Sequence, residues 1–164
     1  MTFVLIPLAL IAVVSTGISI GIRRAGIDAE RWHVDPTGAA PTGNPNWYRV
    51  TPDSAPADRD PDRDASSPVF DVTVAELSAA FDAVALGDDR VEVVAGSAAD
   101  GFVTYVQRSA VFAFPDFVSV TFSDVAAGGS SFAVFSRSQY GQSDLGVNKK
   151  RVERWVAATQ QRLG

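Results

Sequence analysis

The chain opens with a hydrophobic run that has no polar face. Residues 3–22 carry no charge, and Ser15, Thr16 and Ser19 are their only polar side chains. Twenty residues at ~1.5 Å each reach about 30 Å, the thickness of a bilayer's hydrocarbon layer. The pattern predicts an uncleaved single membrane span over residues 3–22, within an anchor at 1–24. A cleaved leader is the weaker reading. It wants a basic n-region, a shorter apolar core and a better small-x-small site than Ser19-Ile20-Gly21. Arg23, Arg24 and Arg31 follow the run and nothing basic precedes it. The positive-inside rule then favours a cytoplasmic C-terminal part, on three arginines only, so the side stays open.

Residues 25–68 read as a Pro- and Asp-rich linker. The stretch 33–68 holds seven of the nine prolines, and Asp53 to Asp64 contains five aspartates and two arginines without a large apolar residue. Such composition buries too little surface to offset chain entropy. Trp32, Trp47 and Tyr48 are exceptions, expected at a membrane interface or docked on the domain. Gly43-Asn44-Pro45-Asn46 is a turn signal. Alternate acids at Asp58, Asp60, Asp62 and Asp64 echo a calcium loop, but that loop's glycine and closing glutamate are missing. A solvated acidic linker is the expectation.

Regular periodicity starts near Val69. Thr73-Val74-Ala75-Glu76 is a capping box, and Leu77, Ala80, Phe81 and Val84 recur at helical spacing up to Gly87. Strands follow at Arg90–Ala95, Gly101–Val111, Phe117–Val125 and Ser131–Ser138, joined by short turns that make neighbours antiparallel. Val118, Val120 and Phe122 alternate with Ser119, Thr121 and Ser123, the pattern of a sheet covered on one face. A last helix runs from Val147 to Leu163, with Val152, Trp155, Val156, Thr159 and Leu163 inward and Lys149, Lys150, Arg151, Arg154 and Arg162 outward. The prediction is an α+β domain over residues 69–164, order α-β-β-β-β-α. Its sheet has four antiparallel strands, five if Val69–Val72 adds one, and both helices lie on one face.

Composition narrows the function. With Arg23 and Arg24 set aside, 12 basic residues face 19 acidic ones over residues 25–164, a net −7. That balance excludes nucleic acid as a partner, since phosphates need a basic face. There is no cysteine and one histidine, His33. Thiolate chemistry, Fe–S clusters and two-histidine sites are thereby excluded within the chain. No P-loop, G-x-G-x-x-G or G-x-S-x-G occurs, so no cofactor is implied and the reading leans away from an enzyme. Asp116 and Asp124 are too far apart along one strand for a glycosidase pair.

The densest polar motif joins the last strand to the last helix: Ser136-Arg137-Ser138-Gln139-Tyr140-Gly141-Gln142-Ser143-Asp144-Leu145-Gly146-Val147-Asn148-Lys149-Lys150-Arg151. Helix N-termini favour anions, so Arg137, Ser143, Asp144, Asn148, Lys149 and Arg151 are candidate ligand-binding residues, with Arg108 on the same polar surface. The alternative is a structural cap, with Asp144 satisfying helix donors and Arg137 pairing with Asp144, Asp116 or Asp124. The strand aromatics Tyr105, Phe112, Phe114, Phe117, Phe122, Phe132 and Phe135 are core by default and pocket lining if the helices gape.

The string SRSQYGQSDLGVNKKRVERW, with VQRSAVFAFPDFVSVTF before it, resembles the bacterial and plant-plastid family called domain of unknown function 1499. The likeness covers residues 69–164, with an echo at Gly43–Asn46. Many members carry arginine where Gln139 stands and a cysteine where Trp47 stands. The resemblance implies a small membrane-anchored or exported domain, placed here in a bacterial inner membrane, with no established activity. The functional expectation is a non-enzymatic module that binds a small molecule, lipid or protein. The alternatives are an envelope-complex scaffold docking through the last helix's basic face, and an enzyme using Asp144 and Arg137.

Overall fold

In the computed structural model, residues 27–38, 43–53, 59–141 and 143–164 are described. The expected span over residues 3–22 lies outside them. No helix among the described residues is long and apolar enough to cross a membrane.

The described chain begins with one helical turn, α1 (Ala29–Trp32), capped by the Asp28 carboxylate on the Arg31 N–H. Two strands follow, β1 (Trp47–Thr51) and β2 (Asp64–Ser66). Next come α2 (Val74–Leu86), β3 (Val91–Ser97) and β4 (Phe102–Arg108), then β5 (Pro115–Asp124), β6 (Ser130–Ser138) and α3 (Val147–Leu163). The capping box that starts α2 forms as its sequence requires, with the Thr73 hydroxyl on the Glu76 N–H and the Glu76 carboxylate on the Thr73 N–H.

One six-stranded sheet runs in the order β2-β1-β6-β5-β4-β3. It is mixed: β1 and β2 are parallel and every other pair is antiparallel. The α+β class holds, but the four- or five-stranded antiparallel sheet is corrected. The extra strands are not at Val69–Val72, where Phe70 makes only an isolated bridge to Ser130. They come from the stretch expected to be linker. All five β1 residues are buried, with Trp47, Tyr48 and Val50 supplying apolar surface. Several of the charges that made the segment look solvated are paired among the described residues. Arg49 Nε meets Asp64 Oδ1 at 2.5 Å with both side chains buried. Arg59 donates to the Thr51 carbonyl at 3.0 Å and hydroxyl at 2.9 Å.

Both long helices cover one face of the sheet. Leu77, Phe81, Val152 and Trp155 pack there on Tyr48, Tyr105, Val118, Val120, Phe132 and Val134. Phe81 meets Phe122, Phe132 and Trp155 edge-on at 5.4–6.0 Å. The second face is not open, as strict alternation in β5 implied. Thr104 and Ser119 are fully buried on it. The segment 27–33 lies across it, Trp32 stacked on Phe117 at 4.1 Å and His33 on Phe102 at 3.7 Å. The polar residues of that face are sealed in a hydrogen-bonded row: His33 Nδ1 to Thr104 Oγ1 at 2.9 Å, Thr104 to Ser119 at 3.0 Å, and Ser119 Oγ to the Trp32 carbonyl at 3.0 Å.

Candidate functional site

The motif between β6 and α3 sits at the end of the sheet where β4 ends and β5, β1 and α3 begin. Its backbone turns through left-handed residues: Gly141 at φ 99°, Leu145 at 53° and Gly146 at 75°. Glycine takes that conformation freely, whereas a leucine there is strained. Asp144 caps the helix from two residues before its N-cap position. Its carboxylate accepts from the Gly146 N–H and the Asn148 N–H, each at 3.0 Å, and from Asn148 Nδ2 at 2.8 Å. Burial alone would raise the Asp144 carboxyl. The N–H groups of Asn148 and Gly146 and the Asn148 amide outweigh it and hold the group below its ordinary 3.8.

Asn148 is fully buried and ties four segments together. Its amide nitrogen donates to the Asn46 carbonyl at 3.2 Å and Ser138 Oγ at 2.9 Å. Its oxygen accepts from Ser136 Oγ at 2.6 Å and Arg151 Nη1 at 2.8 Å. Arg151 is expected on the outer face of its helix, but only 3 % of its side chain is exposed. It reaches Asp116 Oδ2 at 2.6 Å and Gln107 Oε1 at 2.5 Å. An arginine can be buried in this way because a carboxylate and three neutral acceptors, Gln107, Asn148 and Ser136, take up its fork of donors.

The turn at Gly43–Asn46 completes the network. Asn44 Nδ2 donates to the Ser138 carbonyl at 3.1 Å, and Asn46 Nδ2 to the Gly141 carbonyl at 3.0 Å. Read locally, these asparagines are turn formers. Their signal was the faint likeness at Gly43–Asn46, far from the main motif in the chain and bonded to it in the fold.

The seven candidate residues therefore divide. Asp144, Asn148 and Arg151 form one network on the helix face. Ser143 and Lys149 stand beside it, Ser143 Oγ accepting from the Leu145 N–H at 3.3 Å. Lys149 lies 4.0 Å from Glu153 and 5.5 Å over the Tyr48 ring. Arg137 and Arg108 point to the opposite face. Arg137 Nη1 donates to the Phe135 carbonyl at 3.1 Å and Ser119 Oγ at 3.3 Å, and Nη2 to the Trp32 carbonyl. Its guanidinium carbon lies 5.3 Å over the Trp32 ring and 4.9 Å over the Phe135 ring. No carboxylate pairs with it among the described residues, which corrects the expected partners Asp144, Asp116 and Asp124. Burial pulls its pKa down to about 10. Arg108 pairs loosely with Glu92 at 3.7 Å. An Asp144–Arg137 centre cannot assemble, because residues 136 and 138 face α3 and residue 137 faces away.

Two clefts flank the motif loop. One of about 280 Å³ is lined by Pro45, Asn46, Trp47, Tyr48, Asp62, Arg63, Ser143, Asp144, Gly146 and Lys149. The other, of about 310 Å³, is lined by Ser109, Phe114, Asp116, Ser138, Tyr140, Gly141, Ser143, Asp144 and Val147. The second has an apolar wall of Phe114, Tyr140 and Val147, with Phe114 and Tyr140 ring centroids 5.8 Å apart. Its polar floor offers acceptors: Asp116, Asp144 and three serine hydroxyls. A free anion gains little here, since Asp144 already occupies the helix N-terminus.

Residues 42–158 match the profile of a family described as a protein of unknown function, DUF1499. No curated protein and no solved structure matches the chain.

Proposed function

The chain belongs to the DUF1499 family, and from that premise we propose that it is a non-enzymatic, membrane-anchored binding domain whose ligand is a small amphiphile. The anchor is the run 3–22, as a single span of a bacterial inner membrane. The cleft between the β4–β5 turn and the motif loop carries the reading. Its aromatic wall fits an apolar body, and its acceptors fit a hydrogen-bond donor or an ammonium group. Binding is favoured over catalysis because the carboxylates that line it are committed, Asp116 to Arg151 and Asp144 to the helix it caps. Of the basic residues behind the alternative scaffold reading through α3, Arg151 is buried and Arg154 is held by Asp88, whereas Lys149, Lys150 and Arg162 are exposed. Reversing Arg151 would unfold the domain rather than release a partner.

The test is native mass spectrometry of the full chain extracted gently from its own membranes. The expected spectrum shows a stoichiometric mass added to 17.4 kDa. Tyr140→Ala and Val147→Asp, both at exposed positions, should abolish the addition while circular dichroism stays unchanged. A bare mass in the parent protein, or an adduct that both variants keep, would remove the cleft as the site.

A further inference from the structure

Exposed apolar side chains gather around this cleft: Tyr140 and Val147 line it, and Val111, Phe112 and Leu145 lie within two residues of lining residues in the chain. Leu145 is 84 % exposed and Val111 71 %, and Phe112, Tyr140 and Val147 are exposed beside them. Val111 and Phe112 lie in the β4–β5 turn, Tyr140 and Leu145 in the β6–α3 loop and Val147 at the start of α3, and the ring ladder Phe112–Phe114–Tyr140 joins turn and loop at 5.5 and 5.8 Å. A leucine held at φ 53° and turned out to solvent, in a loop whose other residues are polar or glycine apart from Tyr140, is costly for a free surface.

The chain itself says what lies opposite. Ile27 packs on the cluster of Trp32, Val106 and Phe117. The Val106–Phe117 pair is two residue pairs, about 7 Å, from the Arg108–Pro115 pair that opens the β4–β5 turn. Ile27 is thus at the same end as Val111 and Phe112. Four residues separate it from Ile22, a reach of at most about 18 Å. If residues 3–22 span a bilayer, that end is held against the bilayer surface. Lys149 and Lys150, in the first turn of α3, are exposed, and Lys149 lines the neighbouring cleft.

We infer that Val111, Phe112, Tyr140, Leu145 and Val147 form a docking surface for the bilayer in which the chain is anchored, so that the cleft opens at the lipid–water interface. This inference rests on the anchored reading above and adds to it an orientation and a lipid-facing rim. Amphipathic aromatic and aliphatic side chains settle at that depth.

The chain has no cysteine, so single-cysteine variants can be spin-labelled without background. Leu145→Cys and Val111→Cys report on the rim, and Ala127→Cys on the opposite end of the sheet. The full-length labelled protein is reconstituted in vesicles of phosphatidylethanolamine and phosphatidylglycerol. Collision of the nitroxide with lipid-soluble oxygen is compared with its collision with a water-soluble nickel chelate. Oxygen should dominate at positions 145 and 111 and nickel at 127. Nickel dominating at all three sites, in protein that floats with the vesicles, would overturn the docking surface and leave the anchor standing. Protein that fails to float would overturn the anchored reading and this inference together. Dipolar broadening between labels at 145 would overturn it in favour of a second copy covering the patch.

Discussion

Taking a guanidinium out of water costs several kcal/mol unless its donors and its charge both find partners; of the three guanidinium groups buried among the described residues, Arg49 and Arg151 have a carboxylate and Arg137 has none. Arg151 has a carboxylate at 2.6 Å, whereas Arg137 has only two carbonyls, a hydroxyl and two aromatic faces. Substitution should separate them. Arg151→Met leaves Asp116 largely buried without its cation and Asn148 short of a donor, and should cost about 3 kcal/mol. Arg137→Met removes an uncompensated charge and keeps the hydrocarbon stem. Ser119 can still donate to the Trp32 carbonyl, so stability should stay within about 1 kcal/mol of the parent. Urea denaturation of the two variants under one condition measures the difference. Comparable losses would mean that the contacts of Arg137 with Trp32 and Phe135 repay its desolvation.

The same arithmetic acts on whole elements through two carboxylates that hold α3. Asp144 caps its start, and Asp88, just beyond α2, accepts from Arg154 and, at 2.9 Å, from Trp155 Nε1. Burial would raise the Asp88 carboxyl. The bonds from Trp155 and Arg154 outweigh it and hold the group below its ordinary 3.8, as the helix donors do for Asp144. A carboxylate with a depressed folded pKa binds fewer protons folded than unfolded, so stability falls as pH falls. Its contribution is whole above the ordinary value near 4 and is lost as pH drops through the lower folded values. Unfolding free energy should therefore decline steeply below pH 4, and Asp144→Asn should flatten that decline while losing about 1 kcal/mol near pH 7. A pH series of urea titrations checks both slopes. How far elements were legible follows from what kind of signal each one carries. The α2 helix, α3 helix and the four strands from β3 to β6 lie in unbroken periodicity with local caps and turns, and sequence reads them within a few residues. The β1 strand is five residues between prolines and charges, and it is a strand because Arg49 finds Asp64 and Tyr48 finds the helices. Both contacts are set by tertiary structure. Arg151 sits among lysines and arginines that stay outside, and only Asp116 on a distant strand draws it in. The capping role of Asp144 was readable, being local; the face on which Arg137 lies depends on strand phase, which a one-residue shift reverses.

At the scale of the molecule, the two faces of the sheet are closed by unlike means, one by two long helices and the other by the short segment 27–33. That strap precedes the family-matched region, which begins at residue 42, yet it buries the row from His33 to Ser119 and the guanidinium of Arg137. If the anchored reading holds, the strap is also the element through which any pull from the bilayer enters the fold. It should therefore belong to the cooperative unit rather than fray from it. Trp32 is its main fastener, 6 % exposed and stacked on Phe117 at 4.1 Å. Trp32→Ala removes that ring while leaving the carbonyl that Arg137 and Ser119 use, and should cost about 3 kcal/mol, the low end for an aromatic truncation because the strap can relax toward solvent. The loss should appear in urea denaturation as a lower midpoint with an unchanged slope. Part of it is the guanidinium's contact with the indole face. In an Arg137→Met background the same truncation should accordingly cost about 1 kcal/mol less. Equal costs in both backgrounds would show that the ring acts on Phe117 alone. A cost under about 0.5 kcal/mol in the parent chain, within the range of surface substitutions, would show that the strap opens independently of the domain.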